Sequence, residues 1–141
     1  MRAGVFLCPE RSPITYFCPF CWNEIKETDK VCPYCHSDLS SYHGKSFEEK
    51  LINALNHPER ETARRAAYIL GRLKNASAVK KLVELFEKTT DPYIKMEILE
   101  ALHYIGTEEA AVFIRKSAGS GMSVIRRKAE ELLEKERKKS Y

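Results

Sequence analysis

The stretch DPYIKMEILEAL, residues 91–102, combines a helix start with an apolar stripe. Asp91 is a favourable N-cap residue, and the proline that follows it suits the first helical position. Apolar side chains then recur at spacings of three and four residues, at Ile94, Ile98, Ala101 and Leu102. This stretch therefore predicts an amphipathic helix that begins at residue 92.

Two further stretches align with this helix. TARRAAYILGRL begins at Thr62, IKMEILEALHYI at Ile94 and IRRKAEELLEKE at Ile125, and Ala66, Ile98 and Ala129 then coincide, at offsets of 32 and 31 residues. A helix pair that recurs at about this period is typical of an α-solenoid. We predict three such pairs, with helices at residues 46–56 and 59–74, 77–89 and 92–105, and 108–118 and 122–138.

This half of the chain resembles the HEAT-repeat family, in particular the short repeats related to phycobilin lyases. Their pattern is Asp-Pro-x-Val-Arg-x-x-Ala-Ala-x-Ala-Leu-Gly. The second repeat matches it at Asp91, Pro92, Ile94, Lys95, Ala101 and Leu102. The first matches at Ala66, Ala67, Leu70 and Gly71, and the third at Ile125, Arg126, Ala129 and Leu133. The resemblance covers about residues 46–138.

Four of the five cysteines lie in FCPFCWNEIKETDKVCPYC, residues 17–35, as two Cys-x2-Cys units. Two such turns can direct four thiolates at one ion, so Cys18, Cys21, Cys32 and Cys35 predict a single structural Zn²⁺ site. A closed four-thiolate site leaves no position for water or substrate. Two disulfides, or a redox pair, are the alternatives. His36 is expected to lie beside the site, and Cys8 is expected to be a free thiol, although its role stays open.

The cysteine segment resembles the short zinc ribbons, in which each knuckle reads Cys-Pro-x-Cys-Gly. Trp22 and His36 stand where those ribbons have glycine. Because glycine suits the left-handed position after a knuckle, Trp22 is expected to distort the first one.

The predicted fold class is mainly α, a short solenoid of about three HEAT-like pairs after a small zinc-ribbon β-hairpin module. The predicted domains are an N-terminal arm and ribbon at 1–45, with its core at about 14–40, and the repeats at 46–141. The repeats are placed at about 46–75, 76–106 and 107–138.

Composition bounds the class of protein. Hydrophobic residues make up 43% of the 141-residue chain and charged residues 31%, which is typical of a globular protein. No apolar run is long enough for a membrane span, and the N-terminus does not read as a secretory signal, so we expect a cytoplasmic protein without a membrane partner. The net charge of +4 permits a nucleic-acid partner without demanding one.

Second helices of solenoids usually line a concave binding face. On this basis the candidate partner-binding residues are Arg65, Tyr68, Arg72, Tyr93, Glu97, Glu100, Tyr104 and Lys128. Tyrosines among mixed charges suit recognition of a protein segment. The alternative is an ordinary solvated helix face with local ion pairs.

These observations predict a non-enzymatic adaptor or scaffold that binds an unidentified protein partner through its repeats. No nucleophile–base pair, phosphate loop or open metal site is evident, so no catalytic residue and no small-molecule substrate is assigned. A nucleic-acid-binding protein is the first alternative, with ribbon aromatics that could stack on bases. A lyase-like enzyme, implied by the resemblance to phycobilin-lyase repeats, is the second.

Overall fold

A two-stranded hairpin lies at the start of the described part of the chain, residues 15–141 of a computed structural model. Strand β1 (Tyr16–Phe17) pairs antiparallel with β2 (Glu24–Ile25), with Tyr16 opposite Ile25. A single antiparallel bridge joins residues 31 and 38 farther along the chain. These short pairings bring the two Cys-x2-Cys turns into one module.

The interior of this module is very small. Its buried residues are Cys18, Pro19, Cys32 and Leu39. The half-buried side chains of Cys21, Ile25 and Cys35 pack against this interior. Helix α1 (Ser40–His43) follows directly. The predicted start of the ribbon core at residue 14, and also Cys8, lie outside the described residues.

The chain divides into two compact units between Gly44 and Lys45. The second unit contains only helices in the described residues. They are α2 (Phe47–Ala54), α3 (Arg60–Arg72), a 3₁₀ turn (Ala76–Ala78), α4 (Val79–Lys88), α5 (Pro92–Ile105), α6 (Glu108–Ser117) and α7 (Ser123–Lys139). The predicted fold class, a mainly helical repeat array after a small hairpin module, is confirmed.

Side chains with local hydrogen-bonding roles set three helix starts. Ser46 Oγ accepts from the Glu49 backbone N–H, and the Glu49 carboxylate accepts from the Ser46 N–H, which completes a capping box. The Asp91 side chain, just before Pro92, accepts from the backbone N–H groups of the two residues that follow the proline. Gly106 ends α5 in a left-handed conformation with φ of 70°. The Thr107 hydroxyl then accepts from the Ala110 N–H and caps α6. The predicted boundaries at these positions are confirmed.

Helix α5 is the centre of the second unit, because it packs against α3, α4, α6 and α7. Six of its side chains are buried: Ile94, Ile98, Leu99, Ala101, Leu102 and Ile105. The closest approach to α3 is at Gly71, where a Cβ atom would lie 2.6 Å from the Cα of Ala101. The repeats therefore share one continuous core, which includes Leu70, Leu82, Ile114, Ile125 and Leu132.

Helix α3 ends before the predicted residue 74. Lys74 adopts a left-handed conformation with φ of 51°. Its N–H donates to the Gly71 carbonyl, and the Asn75 N–H donates to the Leu70 carbonyl. These two bonds form the Schellman arrangement, with lysine at the position that usually holds glycine.

None of the helices in residues 15–141 has both the length and the apolar character that a membrane crossing requires.

Candidate functional site

The first cysteine turn is held by hydrogen bonds to the backbone and the sulfur of Cys18. Its backbone N–H donates to the Asn23 carbonyl at 2.9 Å, and its carbonyl accepts from the Trp22 N–H at 2.9 Å. Its sulfur lies 3.4 Å from the Phe20 backbone nitrogen, which donates to it. The turn thus closes around a single sulfur.

The second turn repeats this geometry fourteen residues later. The Cys32 N–H donates to the Ser37 carbonyl at 3.0 Å, and the Cys32 carbonyl accepts from the His36 N–H at 3.0 Å. The Tyr34 backbone N–H donates to the Cys32 sulfur at 3.4 Å. Two equivalent knuckles therefore face each other.

Trp22 and His36 occupy the left-handed positions that follow the knuckles. Their φ angles are 61° and 59°. Since the hydrogen bonds around Trp22 match those around His36 in length, the predicted distortion of the first knuckle is wrong. The backbone hydrogen bonds of the knuckle stabilise a left-handed conformation that a bulky residue such as tryptophan disfavours by itself.

The four cysteine sulfurs form one cluster. All lie within 4.8 Å of one another. Cys18 and Cys35 approach to 3.7 Å between sulfurs, as do Cys21 and Cys32. No pair is joined as a disulfide. The predicted ligands are therefore together, and this cluster can hold a metal ion.

Hydrogen bonds tune two of the thiols towards the ionised form. The Ser37 hydroxyl, 3.2 Å from the Cys35 sulfur, and the Ser37 N–H lower the pKa of Cys35 to about 6. The backbone N–H and the side-chain amide of Asn23 lower the pKa of Cys21. Metal binding requires thiolates, so these donors favour it at neutral pH.

The buried thiol behaves differently. Burial raises the pKa of Cys18 to about 11, although backbone donors oppose that effect. A cation placed among the sulfurs would reverse this preference, because it stabilises the thiolate directly. Asn23 and Ser37 were missed by the sequence reasoning. Their signal was a polar residue two positions after the second cysteine of each turn.

The predicted partner-binding residues lie on the second helix of each pair. Arg65, Tyr68 and Arg72 are on α3, Tyr93, Glu97, Glu100 and Tyr104 are on α5, and Lys128 is on α7. We call this set, with Arg64, Glu131 and Lys135, the second-helix face. Contacts of Arg64 with Glu97, of Arg72 with Tyr104 and of Lys128 with Glu100 connect its three helices.

Ion pairs connect the centre of the second-helix face from repeat to repeat. Lys128 Nζ lies 2.8 Å from a Glu100 carboxylate oxygen, and Arg64 Nε lies 3.9 Å from Glu97. Burial raises the pKa of Glu97, with a further contribution from the charge of Glu100. Lys135 and Lys128 share Glu131, at 2.6 and 3.8 Å.

A second inter-repeat contact was missed by the sequence reasoning. Arg60 Nη1 lies 2.6 Å from the Asp91 carboxylate, whose other oxygen caps α5. In the sequence, Asp91 was recognised only as a helix cap. No pattern of residue spacing indicated that Arg60 would contact it.

The carboxyl-terminal ends of α3 and α5 carry an aromatic and cationic cluster. The Arg72 guanidinium lies 5.1 Å from the Tyr68 ring centroid and 4.2 Å from that of Tyr104. Tyr104 in turn meets the His103 ring edge-to-face at 5.9 Å. We call Tyr68, Arg72 and Tyr104 the tyrosine–arginine cluster.

His103 is the histidine with the most unusual surroundings among the described residues. Its side chain is nearly buried, and Nδ1 lies 3.4 Å from a Glu136 oxygen without making a hydrogen bond to any described residue. No nucleophile is positioned beside it by the described contacts. A packing role is therefore sufficient for this side chain.

Comparison with known proteins identifies the helical half. A family model described as HEAT repeats matches residues 48–134. Among solved structures, human deoxyhypusine hydroxylase in complex with glycerol is similar, with a TM-score of 0.57 and 24% identity. The match covers 62% of this chain and 31% of the hydroxylase chain. No curated protein sequence matches the chain.

The similarity to an enzyme corrects one prediction. The sequence was interpreted as non-enzymatic because it contains no obvious catalytic motif. The same repeat architecture, however, is found in a hydroxylase, so the exclusion of enzymatic activity is wrong. At 24% identity the likeness shows a shared fold and assigns no reaction or residue to this chain.

The helical periodicity, the packing of successive helix pairs and the family match over more than half of the chain agree. The chain belongs to the HEAT-repeat family.

Proposed function

We propose that this chain is a protein-binding repeat module, which holds a segment of a partner protein against its second-helix face. A Zn²⁺ ion bound by the four cysteines keeps the N-terminal module folded. The observation that supports the proposal most directly is the position of three exposed tyrosines on neighbouring second helices, among charges that link the repeats.

The cysteine cluster fits zinc in size and in chemistry. A tetrahedral site with Zn–S distances of about 2.3 Å places its sulfurs about 3.8 Å apart. The closest sulfur pairs here are at 3.7 Å. Four sulfurs complete the coordination, so the ion would be structural, and a reducing compartment such as the cytoplasm would keep the thiols available.

The tyrosines give the face its capacity for protein contact. The exposed fractions are 66% for Tyr93, 48% for Tyr68 and 36% for Tyr104. A tyrosine ring offers apolar area with a polar tip, and ordering its side chain costs little entropy. The ion pairs of Glu97 and Glu100 place polar groups between these tyrosines.

Nucleic acid has less support as the partner of this face. Affinity for a phosphate backbone depends on cations that are free to pair with it. On the second-helix face, Arg64, Arg65, Lys128 and Lys135 are each already paired with a carboxylate. Arg72 is the one cation of this face without an ion pair among the described residues.

Photocrosslinking tests which face binds. A photoreactive phenylalanine analogue would replace Tyr93 on α5 in one variant, and Val112 on α6 in the control. Val112 is 52% exposed but belongs to a first helix. In cells of the source, we expect a specific protein adduct from position 93 and none from position 112.

Two results would contradict the proposal. One is equal labelling from both positions, which indicates contact without a preferred face. The other is crosslinking of position 93 to nucleic acid, with binding that weakens steeply as salt is raised, since that dependence reports phosphate contacts.

A further inference from the structure

One arginine of α3 differs from the other three in its partners. Arg60, Arg64 and Arg65 each lie between 2.6 and 3.9 Å from a carboxylate oxygen. Arg72 makes no such ion pair with any residue between 15 and 141, and its recorded contacts are the two tyrosine rings. Its charge acts on Glu97 only from beyond ion-pair distance.

The two rings also orient the Arg72 guanidinium. Tyr68 is one helical turn before Arg72 on α3, while Tyr104 comes from α5. Contacts with ring faces use the flat surface of a guanidinium and leave its N–H edge available for a bidentate acceptor. An arginine held in this way loses less side-chain entropy when it binds a carboxylate.

Charge complementarity identifies the kind of group that would bind. Four arginines and one glutamate make α3 strongly basic. On the neighbouring part of α7, Glu131 is already shared by Lys128 and Lys135. An acidic group that approached Arg72 would therefore meet a cation and two aromatic rings. Glu97 is the carboxylate on α5 whose charge also acts on Arg72, and Arg64 contacts it at 3.9 Å.

We propose that the tyrosine–arginine cluster is a carboxylate-binding site, which recognises an aspartate or glutamate side chain in the partner segment. This inference rests on the proposed function, because it names the chemistry of one contact on the same face. Arg72 supplies the charge-assisted hydrogen bonds, and Tyr68 and Tyr104 form the walls of the site.

Fluorescence anisotropy with a labelled peptide tests the site. The probe alternates glutamate with alanine, and a matched probe has glutamine in place of every glutamate. Arg72→Gln is expected to weaken binding of the glutamate probe about tenfold, the loss of one charge-assisted pair. Arg115→Gln makes the same charge change on α6, outside the second-helix face, and should weaken binding of this probe by less than about threefold.

Arg72→Lys separates charge from geometry. Lysine keeps the positive charge but lacks the planar fork, so we expect it to restore only part of the affinity. Thermal melts followed by circular dichroism should show that all three variants stay folded, because Arg72 and Arg115 are both exposed.

Several outcomes would overturn the inference. They are no binding of the glutamate probe, equal binding of the glutamine probe, or equal losses from Arg115→Gln and Arg72→Gln. Tighter binding of an oligothymidine strand, with equal losses from both variants, would favour nucleic acid instead. If the peptide test fails but position 93 still forms its protein adduct, only the carboxylate site is rejected. If position 93 forms no protein adduct, the proposed function itself is rejected.

Discussion

Backbone conformation at single residues departs from preference at three places in the described chain. Trp22, His36 and Lys74 all have φ between 51° and 61°, where glycine is usual. Each follows a turn whose hydrogen bonds leave no other conformation: two cysteine knuckles and one helix end. The surrounding structure therefore compensates for a cost of about 1–2 kcal/mol per residue.

Gly71 shows the opposite case, in which a glycine is needed for space. It is buried within α3, where alanine would normally be the better helix former. A Cβ atom there would lie 2.6 Å from the Ala101 Cα and 2.9 Å from its Cβ. The clash is with backbone, which cannot move without shifting α5.

Gly71→Ala is expected to destabilise the helical unit by about 1–3 kcal/mol, since the strain of overpacking exceeds the gain in helix propensity. Chemical denaturation followed at 222 nm would measure the loss. Gly121→Ala is the matched control, because nothing lies within 4 Å of a Cβ at that position. If the two variants have equal stability, the close approach of α3 and α5 is not as described.

At the scale of elements, α5 links the repeats both through its buried side and through its exposed side. Its apolar residues form the centre of the core, while Glu97 and Glu100 pair with α3 and α7. Burial raises the pKa of Glu97, and the charge of Glu100 raises it further. An ionised Glu97 is therefore a source of instability that its long contact with Arg64 only partly offsets.

The pH dependence of Glu97→Gln should reveal this cost. A carboxyl whose pKa is raised on folding binds its proton more tightly in the folded state, so stability falls as pH rises from 4.5 through the folded pKa. Glu97→Gln should therefore melt at a higher temperature than the wild type at pH 7. The difference should vanish below about pH 4, where the carboxyl is protonated in both states.

Glu134→Gln provides a comparison, because Glu134 is exposed on α7. Its melting temperature should follow that of the wild type at both pH values. A lower melting temperature of Glu97→Gln at pH 7 would mean that the Arg64 attraction outweighs burial, and the argument for Glu97 would be wrong.

At the scale of the whole molecule, the two units depend on different sources of order. The helical unit has a core that runs through all three helix pairs. Among the described residues of the N-terminal unit, only Cys18, Pro19, Cys32 and Leu39 are buried. So small a core cannot offset the entropy of ordering the chain without a crosslink or a metal ion.

Chelation should therefore unfold one unit and spare the other. Trp22 is the only tryptophan and lies within the cysteine module, so its fluorescence reports on that unit alone. Under reducing conditions, a strong zinc chelator should shift Trp22 emission to longer wavelength, while helical circular dichroism and its melting temperature stay nearly unchanged.

Single cysteine variants sharpen this test. Cys18→Ser should shift the emission even with zinc present, whereas Cys8→Ser should not, since Cys8 is predicted to be a free thiol. Zinc content by elemental analysis should be about one ion per chain for the wild type. If the Trp22 emission does not change when the chelator is added, a structural role for the metal is rejected.

Local patterns were sufficient for much of this molecule. Cysteine spacing predicted which four sulfurs come together, and the Asp91 cap before Pro92 predicted the start of α5. Both are encoded within a few residues. The conformation of Trp22 was mispredicted because residue preference was weighed without the hydrogen bonds of the knuckle.

The sequence by itself determined the helices, their repeat and the cysteine cluster, because period and spacing act over one or two turns of chain. Only the tertiary structure decided which charges meet, as in Arg60 with Asp91 and Lys128 with Glu100. It also left Arg72 between two tyrosines and without a carboxylate among the described residues. These contacts depend on how far each repeat is offset and rotated relative to the next, and that packing geometry is not written in any single stretch of residues.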